Sequence, residues 1–262
     1  HIGVPLTILS AAKETEILIV EMGANHQKEI EHLASIAEPT LGYITNYGKA
    51  HLEGFGGVEG IIKGKSELYD YIAQTPKGLA LVNADDAIQF EKSAACSRTT
   101  FGKSNAQFTY AIEEYDEFAG IQFSIGTTSY TIKSNLSGSF NCVNLASAVA
   151  LGHYFDVPAP AIVQALTDYV PAMNRIEWRK TASNRVLLDA YNANPTSMSL
   201  SIENFAKWHK NGWLVLGDMF ELGESSAVEH QAIVELVQRT NMKKRCILVG
   251  KHFCSTNWKG LQ

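Results

Sequence analysis

The sequence predicts an α/β protein: a mostly parallel sheet with a small antiparallel appendage, followed by a second, incomplete doubly wound half-sheet. Three observations carry this. Continuous apolar runs such as Ile17-Leu18-Ile19-Val20 and Leu79-Ala80-Leu81-Val82 alternate with helical patterns, as strands covered on both faces do. Between Thr99 and Leu136 the pattern changes to short alternating segments separated by turn residues. From Arg185 the strand–helix rhythm resumes. A chain of 262 residues suits two domains, placed here at 1–173 and 174–262.

In order, Pro5 suits a turn into a short helix, and Lys13 to Glu16 form a polar loop before the first expected strand, Ile17 to Val20. Ile30, Leu33, Ala34 and Ala37 recur at helical spacing until Pro39. Gly42 to Asn46 is the next strand, and the βαβ order predicts parallel pairing. Ile61, Ile62, Leu68 and Ile72 mark a helix closed by Pro76, and Leu79 to Asn83 is a buried strand. Phe108 to Ile112, Ile121 to Ile125 and Ser129 to Ile132 read as antiparallel strands, with Gly126-Thr127-Thr128 as a turn. Val143 to Tyr154 and Asp156 to Val170 are helical. Beyond the boundary, strands at Arg185 to Asp189, Gly212 to Asp218 and Cys246 to Gly250 alternate with helices at Ser197 to Trp208 and Val228 to Gln238.

Composition excludes several classes. A formal net charge of −5 disfavours a nucleic-acid or anionic-membrane partner. Hydrophobic residues at 45% and charged residues at 19% are ordinary for a soluble protein, and neither a signal peptide nor a long apolar span is present. Cys96, Cys142, Cys246 and Cys254 form no CxxC pair and read as buried free thiols. The chain starts at His1 and reads as a fragment.

Polar groups recur where strands give way to helices, the place where open α/β sheets bind ligands. Glu21 ends the first apolar run, His51 lies between strand and glycines, and Lys65 opens Gly64-Lys65-Ser66-Glu67. Singly, each has a plainer reading: a carboxylate at a helix N-terminus, a solvated histidine, a surface lysine. As a set they point to a metal–phosphate site, since magnesium needs only one or two protein groups beside substrate phosphates. Gly54, Gly56, Gly57, Gly60 and Gly64 suit either a flexible loop or a close backbone approach to phosphate, but the order Gly-x-x-x-x-Gly-Lys-Ser/Thr of a P-loop does not occur. Asp189 to Pro195 is a polar loop at a ligand-facing position or an Asx-rich turn capping the next helix. Asp218, Glu221 and His230 have a similar reading in capping.

Four segments in this order, Glu21 to Ile30 (Glu-Met-Gly-Ala-Asn-His-Gln-Lys-Glu-Ile), Ala50 to Gly56 (Ala-His-Leu-Glu-Gly-Phe-Gly), Tyr191 to Met198 (Tyr-Asn-Ala-Asn-Pro-Thr-Ser-Met) and Leu216 to Gly223 (Leu-Gly-Asp-Met-Phe-Glu-Leu-Gly), resemble the Mur ligase family. The resemblance spans nearly the whole chain. It implies three domains: a UDP-binding domain, a central P-loop ATPase domain and a Rossmann-like C-terminal domain. This chain would hold most of the second and the start of the third, with the UDP-binding domain and P-loop lying upstream.

The implied activity is ATP-dependent amide ligation in peptidoglycan precursor synthesis, adding D-alanyl-D-alanine to UDP-N-acetylmuramoyl-tripeptide. The implied cofactors are ATP and Mg2+, and the implied setting is a cytoplasmic monomer without nucleic-acid or membrane partners. By position, Glu21 matches the family's magnesium-binding glutamate, His51 its second-magnesium histidine and Lys65 its carbamylated lysine. Asn141 and Asn144 fall in an adenine-contacting Gly-x-His-Asn-x-x-Asn segment, with Phe140 replacing the usual His. Arg175 matches an arginine that reaches ATP, and Asp189, Tyr191, Asn192 and Asn194 match a nucleotide-facing loop. The competing readings are another Mur or folylpolyglutamate-type ligase and a non-catalytic nucleotide-binding fragment.

Overall fold

A computed structural model describes residues 1–258. The fold is α/β, in two compact units, His1–Gln107 and Phe108–Gln262. In the first, α1 (Gly3–Leu9) precedes a long irregular segment, then α2 (Glu29–Ala37), β1 (Leu41–Tyr43), α3 (Leu52–Phe55), α4 (Val58–Gln74), β2 (Leu79–Asn83), α5 (Ala87–Lys92) and β3 (Ser97–Gly102). β1, β2 and β3 pair in parallel, with Gly42 opposite Ala80 and Ala80 opposite Arg98. Ala80, Leu81 and Val82 are fully buried, as a central parallel strand requires. Ile30 of α2 and Leu68, Tyr69 and Ile72 of α4 close over Ile44, Ala80 and Val82, and Met22, Ala24 and Tyr47 pack on the same core.

The expected first strand is not one. Residues 17–20 lie in irregular chain, and Ile17, Leu18 and Ile19 are 48%, 41% and 85% exposed. Apolar character suits a strand, but ladder hydrogen bonds make one, and among the described residues no strand runs beside this segment.

The second unit begins with an antiparallel meander, β4 (Phe108–Tyr115), β5 (Phe118–Ile125) and β6 (Thr128–Ser137). Both connections are two-residue turns, Asp116-Glu117 and Gly126-Thr127, and the positive φ of Asp116 and Gly126 fits such turns. The apolar alternation sets the register: Ile121 faces Ile112 on one side and Ile132 on the other. α6 (Cys142–Tyr154) packs on β5 and α7 (Ala159–Asp168) on β6.

Next come β7 (Glu177–Lys180), β8 (Arg185–Leu188), α8 (Pro195–Trp208), β9 (Leu214–Gly217), α9 (Ser226–Arg239), β10 (Cys246–Val249) and α10 (Lys251–Cys254). β9 and β10 pair in parallel, whereas β8 pairs antiparallel with β7. β7 carries no strand signal in sequence, because three of its four residues, Glu177, Arg179 and Lys180, are charged. The β7–β8 loop is closed by the Thr181 N–H to Asn184 O, 2.8 Å, and so short a loop is an inexpensive closure. Cys142 and Cys246 are buried and Cys96 partly buried, but Cys254 is exposed, contrary to its expected burial. Among the described residues, no helix is long and apolar enough to cross a membrane.

Candidate active site

In the first unit, one turn of α4 holds the loops that carry the expected magnesium ligands. Gly64 lies against Phe55, where an added Cβ would come 2.5 Å from the ring. Lys65 Nζ donates to the backbone carbonyl of Asn46 at 2.7 Å. Ser66 Oγ and Tyr47 Oη share a hydrogen bond of 2.9 Å. Glu67, buried, accepts from the N–H groups of Lys28 (2.6 Å) and Glu31 (3.1 Å). Consecutive side chains thus fasten different partners, because successive helix residues point about 100° apart.

Burial pushes the Lys65 amine below the ordinary lysine range. It also pushes the Tyr47 phenol up to about 12, so the hydroxyl shared with Ser66 keeps its proton at neutral pH. His51 stands at the N-cap of α3 in the left-handed region, φ 56°, and its carbonyl accepts from Phe55 N at 3.1 Å. Glu21 is exposed and directly precedes the Met22–Ala24 stretch that packs on the core. Glu29 pins the loop that follows, accepting from Asn25 N (2.7 Å) and His26 N (3.2 Å). The Asn25 bond chiefly holds the Glu29 carboxyl below its usual range. A cavity of about 580 Å³ opens beside this loop, lined by residues 23–29 with His1, His32 and Leu33.

The glycines have mixed roles. A Cβ on Gly54 would lie 2.3 Å from Asn25 O, and one on Gly60 would lie 1.8 Å from Phe55 O. These two, like Gly64, serve close packing of the chain on itself. Gly56 and Gly57 have positive φ and open space beside them.

In the second unit the expected nucleotide residues fall into two groups. Asn141 is buried, donates to Ser137 O (2.9 Å) and accepts from Asn144 Nδ2 (2.9 Å), so its carboxamide is committed internally and Asn144 is the exposed member. At the other group the Arg175 guanidinium lies 3.9 Å over the Tyr191 ring, a cation–π pair. Ala190 N donates to Asn174 O at 2.9 Å, tying the 189–191 loop to a backbone run where Met173, Asn174 and Ile176 all have positive φ. Asp189 accepts from Ser201 Oγ. Asn192 Oδ1 accepts from the next N–H, that of Ala193, at 2.9 Å. Asn194 caps α8 through a capping box with Ser197, the plainer of its two expected roles.

Glu29, Glu67 and Tyr47 were missed as supports of these loops. Glu29 carried a signal, an acidic residue in the first turn of a helix. Glu67 carried none, since its partners lie 39 and 36 residues away in sequence. Asp218 and His230 form a separate cluster. His230 Nδ1 donates to Ser226 O at 2.7 Å and Nε2 accepts from Met219 N at 3.1 Å, while Asp218 accepts from His252 N and Phe253 N at the start of α10.

The chain that carries these loops has two family matches. Residues 1–152 match the model described as Mur ligase middle domain, and residues 174–256 match Mur ligase, glutamate ligase domain. The chain belongs to the Mur ligase family.

Within that family, it is 32% identical over 235 residues to UDP-N-acetylmuramoyl-tripeptide--D-alanyl-D-alanine ligase of Bacillus subtilis (strain 168), covering 88% of this chain and 50% of the relative. A crystal structure of MurF from Acinetobacter baumannii superposes with a TM-score of 0.85 at 32% identity, covering 95% of this chain and 55% of that one. MurF ligase from Thermotoga maritima in complex with ADP superposes at 0.80 with 25% identity, covering 94% and 61%. The chain thus spans between half and three-fifths of the length of these relatives.

Proposed function

We propose that this chain serves an ATP-dependent amide ligase that joins D-alanyl-D-alanine to UDP-N-acetylmuramoyl-tripeptide. The observation that carries the reading is Lys65: a partly buried amine, its pKa pushed down, held by a carbonyl within the family's motif frame. Such an amine adds carbon dioxide more readily than a solvated one, because the neutral form is the nucleophile. Carbamylation would turn it from a cation into an oxygen-bearing anion. Glu21, His51 and carbamylated Lys65 are the proposed holders of magnesium. The donor set would comprise the exposed Glu21 carboxylate, the His51 imidazole and, once Lys65 is carbamylated, its new oxygens. When bound, the ion supplies charge neutralisation at phosphate oxygens.

In the proposed reaction the tripeptide carboxylate oxygen attacks the γ-phosphorus of ATP, forming an acyl phosphate and releasing ADP. The dipeptide amine then attacks the acyl carbon, the C–O bond to phosphate breaks, and the amine's proton leaves to solvent. The chain's part is positioning and charge placement. In the second unit Arg175, stacked on Tyr191, is the proposed phosphate-facing cation, with Asp189 and Asn192 in the same loop region. Asn144 is the proposed adenine contact, with Asn141 as its support and Asn194 holding the helix start beside Asn192. The domain boundary is placed at 173/174, the setting is the cytoplasm, and the working form is a monomer.

The test is ADP release in the presence of both substrates, comparing this chain with a longer one that includes the phosphate-binding loop. Release that requires both substrates, in either chain, supports the ligase. Release in neither refutes it. Nucleotide binding without turnover in both favours a non-catalytic nucleotide-binding role.

A further inference from the structure

The α4 turn that carries Lys65 also carries a buried carboxylate that the reaction scheme does not use. Glu67 is 7% exposed, and both its oxygens are spent on backbone N–H groups of another element, those of Lys28 and Glu31. Those groups begin α2, whose own N-cap is Lys28 in a left-handed conformation with no side-chain cap bond. A helix start is ordinarily capped from within, by a Ser, Thr, Asp or Asn at the N-cap itself. Here the acceptor comes from 39 residues away. Burying a carboxylate for this purpose is costly, and a local cap would serve the helix alone equally well.

The remote arrangement does something a local cap does not. It fixes the α2 start, and the Gly23–Lys28 loop leading into it from Glu21, to the same turn that presents Lys65. Glu29 holds the loop from within through Asn25 and His26, and Gly54, three residues after His51, meets Asn25 so closely that a Cβ would lie 2.3 Å from its carbonyl. The three segments bearing Glu21, His51 and Lys65 are therefore mounted on one another, with Glu67 as the link between the first and the third.

We propose that Glu67 is a positioning residue for the magnesium site, setting the Glu21 loop relative to Lys65. This rests on the metal assignment proposed above. Two readouts on the full chain test it: amide hydrogen exchange at Lys28 and Glu31, and broadening of the Glu21 and His51 backbone amide signals by Mn2+ with ADP present. Glu67→Gln keeps the size but puts a donor where an acceptor is needed. It is expected to lose protection at one or both amides and to weaken Mn2+ binding about tenfold. Glu67→Asp, with the charge but a shorter reach, is expected to fall between, and it takes over the test if the Gln variant does not fold. Ile72→Val, which lowers stability within the same core, is expected to leave Mn2+ affinity unchanged. Lost amide protection with unchanged Mn2+ affinity in the Glu67 variants would overturn the positioning role alone. Absence of broadening at Glu21 and His51 in the unaltered chain would overturn the metal assignment, and the positioning role with it.

Discussion

Lys65 Nζ donates to the carbonyl oxygen of Asn46 at 2.7 Å, from the second turn of α4 to the loop that follows β1. That bond orients an amine already pushed down in pKa by burial. Lys65→Ala is expected to lower ligase turnover by about a hundredfold or more, the scale of removing one preorganised charge from a phosphoryl-transfer site. Short-chain carboxylates added to this variant are expected to restore part of the rate, because they would replace the oxygens of the proposed carbamate. Lys65→Arg, which cannot be carbamylated in the same way, is expected to stay inactive. Steady-state rates with and without acetate check this, and an undiminished rate in Lys65→Ala without any additive would contradict the carbamate role.

The glycine cluster makes a prediction about stability. Gly54→Ala and Gly60→Ala each drive a methyl group into a backbone carbonyl, and each is expected to cost about 1–3 kcal/mol. Gly23 has nothing within 4 Å of an added Cβ, so Gly23→Ala is expected to be nearly neutral. Urea unfolding of the three variants separates them, and equal midpoints would refute the packing explanation.

Glu117 sits at the β4–β5 turn and accepts from Trp178 Nε1 at 3.2 Å and His209 Nε2 at 2.9 Å, with the Arg185 guanidinium 3.9 Å away. Its side chain is 10% exposed, so removal leaves two half-buried donors, Trp178 and His209, without this acceptor. Glu117→Ala is expected to destabilise the second unit by about 1–3 kcal/mol, and Glu117→Gln by less, since one acceptor oxygen remains. Tryptophan fluorescence during denaturation follows this, since the Trp178 indole is one of the two donors. An unchanged midpoint in Glu117→Ala would show the cluster to be energetically idle.

Asp218 gives a pH dependence. Burial works to raise its carboxyl pKa, but the N–H groups of His252 (3.0 Å) and Phe253 (2.9 Å), aided by the nearby His252 and His230 rings, outweigh it and bring the value below the ordinary range. A carboxylate depressed in the folded state stabilises the fold above the unfolded pKa of about 3.9 and loses that contribution as pH falls through the folded value. Asp218→Asn is therefore expected to be less stable than the unaltered chain at neutral pH, by about 1–2 kcal/mol. The gap should close below about pH 4. A gap that persists unchanged into acid would show that charge is not what Asp218 contributes.

Much of this was legible in the residues, for identifiable reasons. Leu79 to Asn83 was read to its ends because an unbroken apolar run stopped by Asn-Ala-Asp-Asp leaves a central strand few alternatives. The turn at Gly126 declared itself by composition, and the turn at Asp116-Glu117 did not, since acidic residues also suit a strand edge. Ile17 to Val20 misled because apolar pattern reports suitability for burial, whereas a ladder needs a neighbour. β8 was legible as a strand but not in its pairing, because its hairpin partner β7 is built of Glu, Trp, Arg and Lys. At the site, the residues with chemistry to offer stood out, while their supports did not: the links from Glu67 to Lys28 and from Ser66 to Tyr47 are long-range contacts that one-dimensional spacing cannot show.

Amide formation is proposed to proceed through an acyl phosphate made at the tripeptide carboxylate. The most direct measurement uses UDP-N-acetylmuramoyl-tripeptide labelled with heavy oxygen in that carboxylate, turned over with ATP and D-alanyl-D-alanine by the longer chain that includes the phosphate-binding loop. Phosphate released during turnover is predicted to carry a single labelled oxygen, transferred when the C–O bond breaks. Turnover that releases unlabelled phosphate would contradict the mechanism.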